Sequence, residues 1–513
     1  MSQIIVLNFG SQVAHLINRR VRELGIYSEL APHDITATEV RKINPRGIIF
    51  SGGPASVYES DAPHPNPELY DLGIPILGIC YGMQLMGEKY GKVAAGQQKE
   101  YGKNTLLMQS QGILLKKLPK KSTIWMSHGD LLKQLPKEFK ILGKTKTCPI
   151  ASFENYPKKI YGVQFHPEVA HTEYGMQILR NFVLDICTAQ KDWNLRNQKL
   201  KLIKEIKKTV GNYAVIMGLS GGIDSTVAAS LIHEAIGSNL HCVFIDHGLI
   251  RKNEAEEVER NFKKHLGFKN FYMIDASRLF LTRLKNASDP EQKRKIIGHA
   301  FIDVFEQKEK ELKHKHPNIR FLGQGTIYPD RVESATTSKA ASKIKSHHNL
   351  TLPERMHLIV IEPLKELYKD EVRMLAKELK LPDEMIFRHP FPGPGFAIRI
   401  VGKITPERLR ILREADHIFM EELRKSGQYK KVWQALAALF PIKTVGVKGD
   451  ARTYEYVISL RAVTSLDAMT ADWAKLPNSL LETVSTRILN EVNGVNRVVY
   501  DITQKPPGTI EYE

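Results

Sequence analysis

The stretch GLSGGIDS, residues 218–225, follows the apolar run YAVIMG and opens the helical run STVAASLIHEAIG. Strand, glycine turn and helix in that order form the repeating unit of a doubly wound parallel sheet. Phosphate is gripped where the turn meets the helix N-terminus, because free backbone N–H groups and the helix dipole both face it there. The glycines let the backbone approach a phosphate chain closely, and Ser220 and Ser225 add hydroxyl donors. The loop lacks the lysine that G-x-x-x-x-G-K-[ST] loops set against the terminal phosphates. A loop that grips the β- and γ-phosphates as one unit suits pyrophosphate as leaving group, with attack at the α-phosphate and adenylylation of an acceptor. Ser220, Gly221, Gly222, Ile223, Asp224, Ser225 and Thr226 are the expected ATP cradle, with Asp224 a candidate Mg²⁺ contact.

The same alternation continues downstream through HCVFIDHG, FYMIDAS and IRFLGQG, with helical stretches between them. Upstream, IIVLNFG, GIIFSGGP and IPILGIC are continuous apolar runs of the kind that parallel strands buried on both faces require. An amphipathic basic helix over 193–210 connects the two series. After RHPFPGPGFAIRI the texture changes to a long helical segment and two strand candidates, KTVGVKG and YEYVISLRAV, separated by residues 450–453. The expected fold is α/β: two doubly wound domains, 1–188 and 189–388, followed by a small α+β domain, 389–513. A chain of 513 residues at about 150 per domain agrees with three.

Composition narrows the function. A hydrophobic fraction of 42% and a charged fraction of 25% are those of a globular protein. No apolar run reaches the about 18 residues of a membrane span, and the start has no basic segment with a cleavage site. A cytoplasmic protein with no membrane partner is expected. The net charge of +18 would suit a nucleic-acid binder, but the lysines lie along amphipathic stretches such as NLRNQKLKLIKEIKKTV. Solvated helix faces and no nucleic-acid partner are the reading adopted. The four cysteines have no metal-ligand spacing; Cys148, Cys187 and Cys242 read as ordinary buried thiols.

Cys80 is different. In GICYGMQ it stands at a strand end with glycines two residues either side, the frame of a nucleophile elbow carrying sulfur. A thiol at a helix N-terminus is acidified by the dipole. In YGVQFHPEV, His166 and Glu168 follow another apolar strand and suit the roles of base and orienting acid. Backbone N–H groups near Gly52 and Gly53, with that of Tyr81, suit an oxyanion hole.

With SGGP, GICYGMQ, SHGD and GVQFHPEV in order, the first 188 residues resemble class I glutamine amidotransferases. That resemblance implies attack by Cys80 on the glutamine amide, His166 as base, Glu168 as its orienter, and glutamine held by Gln84 and Asp130. SGGIDS after a strand resembles the ATP-pyrophosphatase family, whose acceptors include nicotinate dinucleotide, aspartate, argininosuccinate precursors and tRNA bases.

Along the whole chain, FIDHGLIRKNE, DPEQKRKIIG, GQGTIYPDRVES, KSHHN, EPLKELYKDEVR, HPFPGPGFAIR and NRVVYDITQKPPGTIEYE resemble the glutamine-hydrolysing GMP synthetase family. The resemblance implies ATP, glutamine and xanthosine 5′-monophosphate (XMP) as substrates, Mg²⁺ with ATP, no tightly bound organic cofactor, and a homodimer. It implies that Arg294, Lys505 and Glu511 meet the nucleotide. It places Asp330, Glu333, Lys345, His347, His348 and Lys365 at a lid and adenylylation region. The family's Gly-Gly after HHN is replaced here by HHNLTLPERM, which stiffens that lid. An NAD synthetase is the rival synthetase; a binding protein built on retired enzyme domains is the rival of another class.

Overall fold

The computed structural model describes residues 2–11, 13–330, 357–465 and 470–513, and the chain forms two compact units, Met1–Asn197 and Gln198–Glu513. In the first unit, β1 (Ile4–Asn8), β2 (Ser28–Pro32), β3 (Gly47–Phe50), β4 (Ile76–Ile79) and β9 (Ile160–Val163) run parallel in the order β2-β1-β3-β4-β9. β3, β4 and β9 are buried at every residue, which is why they read as unbroken apolar runs. The sheet continues antiparallel from β9 through β8 (Ser152–Asn155), β7 (Lys140–Lys144), β5 (Lys92–Met108) and β6 (Lys121–Gln134). Two apolar layers cover its faces, one around Ile49, Leu77 and Phe182, the other around Phe50, Met83 and Phe153.

The second unit carries two sheets. The first is wholly parallel, in the order β12-β11-β10-β13-β14: β12 (Phe271–Asp275), β11 (Leu240–Asp246), β10 (Ala214–Leu219), β13 (Ile319–Gly323) and β14 (Ile359–Ile361). The order reverses at β10, so its C-terminal end is the switch point where such sheets bind ligands. Residues 220–222 are the turn at that end, between β10 and helix Ile223–Ile236. Helix Pro290–Lys315 starts where Asp289 accepts from the Gln292 N–H at 2.8 Å and Pro290 fixes the first turn.

The second sheet of this unit is built on a long hairpin, β15 (Gln434–Lys448) and β16 (Ala451–Thr464), with β17 (Asp472–Trp473) antiparallel and β18 (Val495–Tyr500) parallel to β16. Its first strand begins eight residues before Ile442, upstream of the expected KTVGVKG. The register shifts between Phe440 and Lys443, where Pro441 has no N–H for a ladder. The turn is tighter than expected from sequence: Lys448 pairs with Ala451, leaving residues 449–450 as the loop, with Gly449 at φ 60°. One apolar core joins the two sheets, running from Ile216 and Val243 through Phe396 and Phe419 to Leu439 and Ile458.

Candidate active sites

In the first unit β4 ends at Cys80, which has φ 53° and ψ −108° and caps helix Tyr81–Tyr90. A side chain at positive φ is strained, and close packing holds it there. A methyl on Gly78 would lie 2.6 Å from the Gly82 carbonyl, and one on Gly82 would lie 2.5 Å from the Phe50 carbonyl oxygen. The Cys80 N–H donates to the Val163 carbonyl at 2.8 Å, which ties the elbow to β9. β9 leads into the segment carrying His166 and Glu168, so the two strands bring thiol and imidazole to one end of the sheet.

His166 Nδ1 lies 2.7 Å from Glu168 Oε1, which leaves Nε2 to face the thiol. Gly52 keeps this space open, since a methyl there would sit 3.1 Å from His166 Cε1 and 3.7 Å from Cys80 Cβ. Burial alone would depress the imidazole; the Glu168 carboxylate and the Cys80 sulfur outweigh it and hold His166 well above the ordinary histidine range. Two further contacts fix the pair. Arg20 Nε donates to the Glu168 carbonyl at 3.1 Å, and Thr172 Oγ1 donates to the His166 carbonyl at 2.6 Å. Neither residue carried a signal in the sequence.

The expected oxyanion and glutamine-binding residues gather around the same thiol. Gly53 packs on Tyr81, with a methyl at Gly53 falling 3.2 Å from the Tyr81 ring. Gln84 Nε2 donates to the Asp130 carbonyl at 2.8 Å, and Ser56 Oγ donates to Asp130 Oδ2 at 2.5 Å. Cys80 Sγ lies 3.5 Å from the Ser127 carbonyl of the SHGD segment. Cys148 and Cys187 are buried away from Cys80, His166 and Glu168, and burial raises both thiols, Cys148 to about 12.

In the second unit the loop after β10 folds on itself. Ser220 Oγ and Ser225 Oγ are 3.1 Å apart, the Gly222 N–H donates to Ser220 Oγ at 3.3 Å, and Ser225 and Thr226 hydroxyls donate to the Gly222 carbonyl at 3.0 and 2.9 Å. Gly221 has φ 71°, a conformation open to glycine at little cost. The floor of the loop is Gly325, just beyond β13, where a methyl would lie 2.9 Å from the Ser225 backbone nitrogen.

Two cations reach the loop from distant sequence. Lys369 Nζ donates to Asp224 Oδ2 at 2.5 Å, and Arg388 donates to the Gly221 carbonyl at 2.8 Å while pairing with Glu254. Asp224 Oδ1 is buried without a hydrogen-bond partner among the described residues, an oxygen left available for a cation.

The nucleotide residues inferred from resemblance lie at the C-terminal segment and its partners. Glu511 is bound by the fully buried Arg399 at 2.8 and 3.0 Å and by Gln434 Nε2 at 2.5 Å. Arg294 donates to the Glu513 carbonyl at 2.7 Å, and Lys505 pairs backbone to backbone with Ala471. Asp330 accepts from the Ile327 N–H at 3.2 Å, and Lys365 is exposed after β14. Glu333, Lys345, His347 and His348, with the altered HHNLTLPERM run, lie outside the described residues.

A thiol centre suited to releasing ammonia and a phosphate loop suited to activating an acceptor belong together in glutamine-dependent, amide-transferring synthetases, and this chain falls in that class. Family comparison agrees along its length. Residues 5–186 match "Glutamine amidotransferase class-I", residues 195–294 match "NAD synthase", and residues 421–512 match "GMP synthase C terminal domain". Curated relatives match from end to end. The chain is 54% identical to "GMP synthase [glutamine-hydrolyzing]" of Aquifex aeolicus over 99% of both chains. It is also 54% identical to the proteins of the same name from Carboxydothermus hydrogenoformans and Thermosipho melanesiensis over 100% of both chains. The chain belongs to the glutamine-hydrolysing GMP synthase family.

Proposed function

We propose that the residues described above divide the work of GMP synthesis between the two units. The enzyme aminates XMP to GMP with ammonia from glutamine, through adenylyl-XMP, releasing AMP and pyrophosphate. In the first unit, Cys80 attacks the side-chain amide of glutamine while His166 takes the thiol proton and returns it to the departing ammonia. Glu168 keeps His166 oriented and stabilises its charged form. The N–H groups of Gly53 and Tyr81 receive the oxyanion, and Gln84 and Asp130 hold the amino-acid end.

In the second unit, residues 220–226 hold the β- and γ-phosphates as the leaving pair. Lys369 and Arg388 supply the positive charge that the loop lacks in its own sequence. The donor set suits Mg²⁺: Asp224 would hold it through Oδ1, where it would neutralise charge on the phosphates. XMP is held by Arg294, Lys505 and Glu511. By the family resemblance, Lys345, His347 and His348 are assigned to the lid over the adenylylation site, and Asp330, Glu333 and Lys365 to the same active region.

A homodimer is supported by the β15–β16 hairpin, where Ile442, Val445, Val447 and Tyr454 are each more than half exposed. Such an apolar surface on one hairpin suits a second copy of this chain. The enzyme is a cytoplasmic one acting on small molecules; no helix among the described residues is long and apolar enough to cross a membrane.

The observation that carries the reading is Cys80 held at positive φ with the His166–Glu168 pair, 2.7 Å apart, at the same sheet end. The test is pyrophosphate release from Mg-ATP with and without XMP, using glutamine or ammonium as nitrogen source. Pyrophosphate that requires XMP, with GMP formed from either source, supports the reading. Loss of only the glutamine reaction in Cys80→Ala assigns the thiol. Inorganic phosphate as the product would overturn the account of the loop.

A further inference from the structure

The antiparallel half of the first unit's sheet buries an acid and a histidine that the mechanism does not use. Glu100 on β5 pairs in register with His128 on β6, and both side chains are buried. His128 Nε2 lies 3.0 Å from Glu100 Oε2, and His128 Nδ1 lies 3.0 Å from the backbone carbonyl of Asp130. That carbonyl also accepts from Gln84 Nε2. Glu100 is itself held: its other oxygen accepts from Asn104 Nδ2 at 2.7 Å, from Thr145 Oγ1 at 2.8 Å, and from Thr147 Oγ1. The Cys148 sulfur stands beside this pair, within 4.8 Å of the facing ligand atoms. The Cys148 thiol donates to the Ile150 carbonyl at 3.3 Å, and Glu100 has its donors, so the cluster reads as a filled hydrogen-bond network.

We propose that His128 is a positioning residue for glutamine, holding the Asp130 backbone, and with it one wall of the thiol pocket, against the anchored Glu100. The chain of contacts is Thr145, Thr147 and Asn104 to Glu100, Glu100 to His128, His128 to the Asp130 carbonyl. With acceptors on both sides, His128 donates from both nitrogens as a protonated ring, which burial opposes and Glu100 favours. The Asp130 carbonyl, held by this N–H and by Gln84, then fixes its peptide plane, and Ser56 holds the Asp130 carboxylate. The same short segment presents the Ser127 carbonyl 3.5 Å from Cys80 Sγ. Loosening it displaces groups around the bound amino acid while leaving Cys80, His166 and Glu168 on their own elements. Supporting shells of this kind tune a site through distances of tenths of an ångström. The inference rests on the proposed glutaminase role of Cys80 and Asp130.

Two substitutions separate the two ends of the imidazole. In His128→Asn the amide nitrogen falls near the place of Nδ1 and keeps the bond to Asp130. In His128→Gln it falls near the place of Nε2 and keeps the bond to Glu100. In the full-length enzyme, His128→Asn should keep the glutamine KM within about threefold, while His128→Gln raises it by about tenfold or more with a smaller change in kcat. Alkylation of Cys80 by iodoacetamide, which needs no glutamine wall, should proceed in both variants within about twofold of the wild-type rate. Equal KM values in the two variants, whether both normal or both raised, would overturn the proposal. Cys80→Ala is the control for the underlying reading: glutamine-dependent GMP formation that survives it would dismiss the glutaminase assignment, independently of His128.

Discussion

The Lys369 ammonium lies 2.5 Å from the Asp224 carboxylate, so a cation from a distant helix stands on the loop that has no lysine of its own. Asp224 is in the first turn of helix Ile223–Ile236. On the proposed reading of residues 220–226 as the phosphate cradle, this ammonium is the charge that faces the leaving phosphates. Lys369→Ala should slow XMP-dependent pyrophosphate release by about 10²-fold or more, as expected when a charge that stabilises a leaving anion is removed. Glutamine hydrolysis at Cys80 should be assayed in parallel to show that the first unit is intact. Pyrophosphate release within about threefold of wild type would remove Lys369 from the phosphate site.

Glu168 holds His166 by its Nδ1 and helps keep its pKa raised. Glu168→Gln should lower the glutamine-dependent rate by about 10²–10⁴-fold and spare the ammonium-dependent one. The folded His166 pKa stands above the unfolded value of about 6.5. Its contribution to stability is therefore complete below that value and is lost as pH rises through the folded pKa. Denaturant unfolding of the first unit should show the gap between wild type and Glu168→Gln closing as the solution is made alkaline. A gap independent of pH would contradict the pairing.

Gly82 is closed to any side chain by the Phe50 carbonyl oxygen, 2.5 Å from where a methyl would sit. Gly82→Ala should destabilise the first unit by about 1–3 kcal/mol through overpacking and abolish glutamine use while ammonium still supports GMP formation. Normal glutamine kinetics in a stable Gly82→Ala protein would show that the elbow is not needed.

The second unit buries His241, His247 and His389, each pushed down to about 4 chiefly by burial. His389 accepts from the Ala435 N–H at 3.3 Å through Nδ1 and donates to the Tyr429 carbonyl at 2.8 Å through Nε2, a pattern that requires the neutral ring. Neutral burial gives stability that is present above the unfolded pKa of about 6.5 and falls as the unfolded chain takes up protons below it. Acidification should weaken the second unit between about pH 6.5 and pH 4, each histidine contributing on the order of 1–3 kcal/mol. His389→Gln, which keeps an amide near Nε2, should flatten that slope; an unchanged slope would reject His389 as a contributor.

The parallel strands and both strand-to-helix turns were legible because burial on two faces leaves unbroken apolar runs, and because Gly-x-Cys-x-Gly and SGGIDS are local. Cys80, His166 and Glu168 could be read as a candidate constellation for the same reason, each lying at the end of such a run. β5 and β6 were missed: their exposed and buried residues mix, and their register slips between Ala95 and Glu100. The start of β15 was hidden by QALAALFP, in which alanines and a proline argue against a strand, while the bulge at Pro441 makes room for one. His128, Lys369 and Arg388 stand inside quoted motifs, but their partners, like those of Arg20 and Glu100, could not be read, because each lies tens or hundreds of residues away.

Gly325, under the phosphate loop, has a bearing on the order in which the chain is made. The loop follows β10, but its floor arrives only when β13 has been synthesised and has docked beside β10. A nascent chain that has emerged through β12 carries the whole SGGIDS signature and still has no finished seat for ATP. On the proposed cradle, ATP would add its binding energy only to molecules in which β13 is docked beside β10, favouring completed copies over half-folded ones.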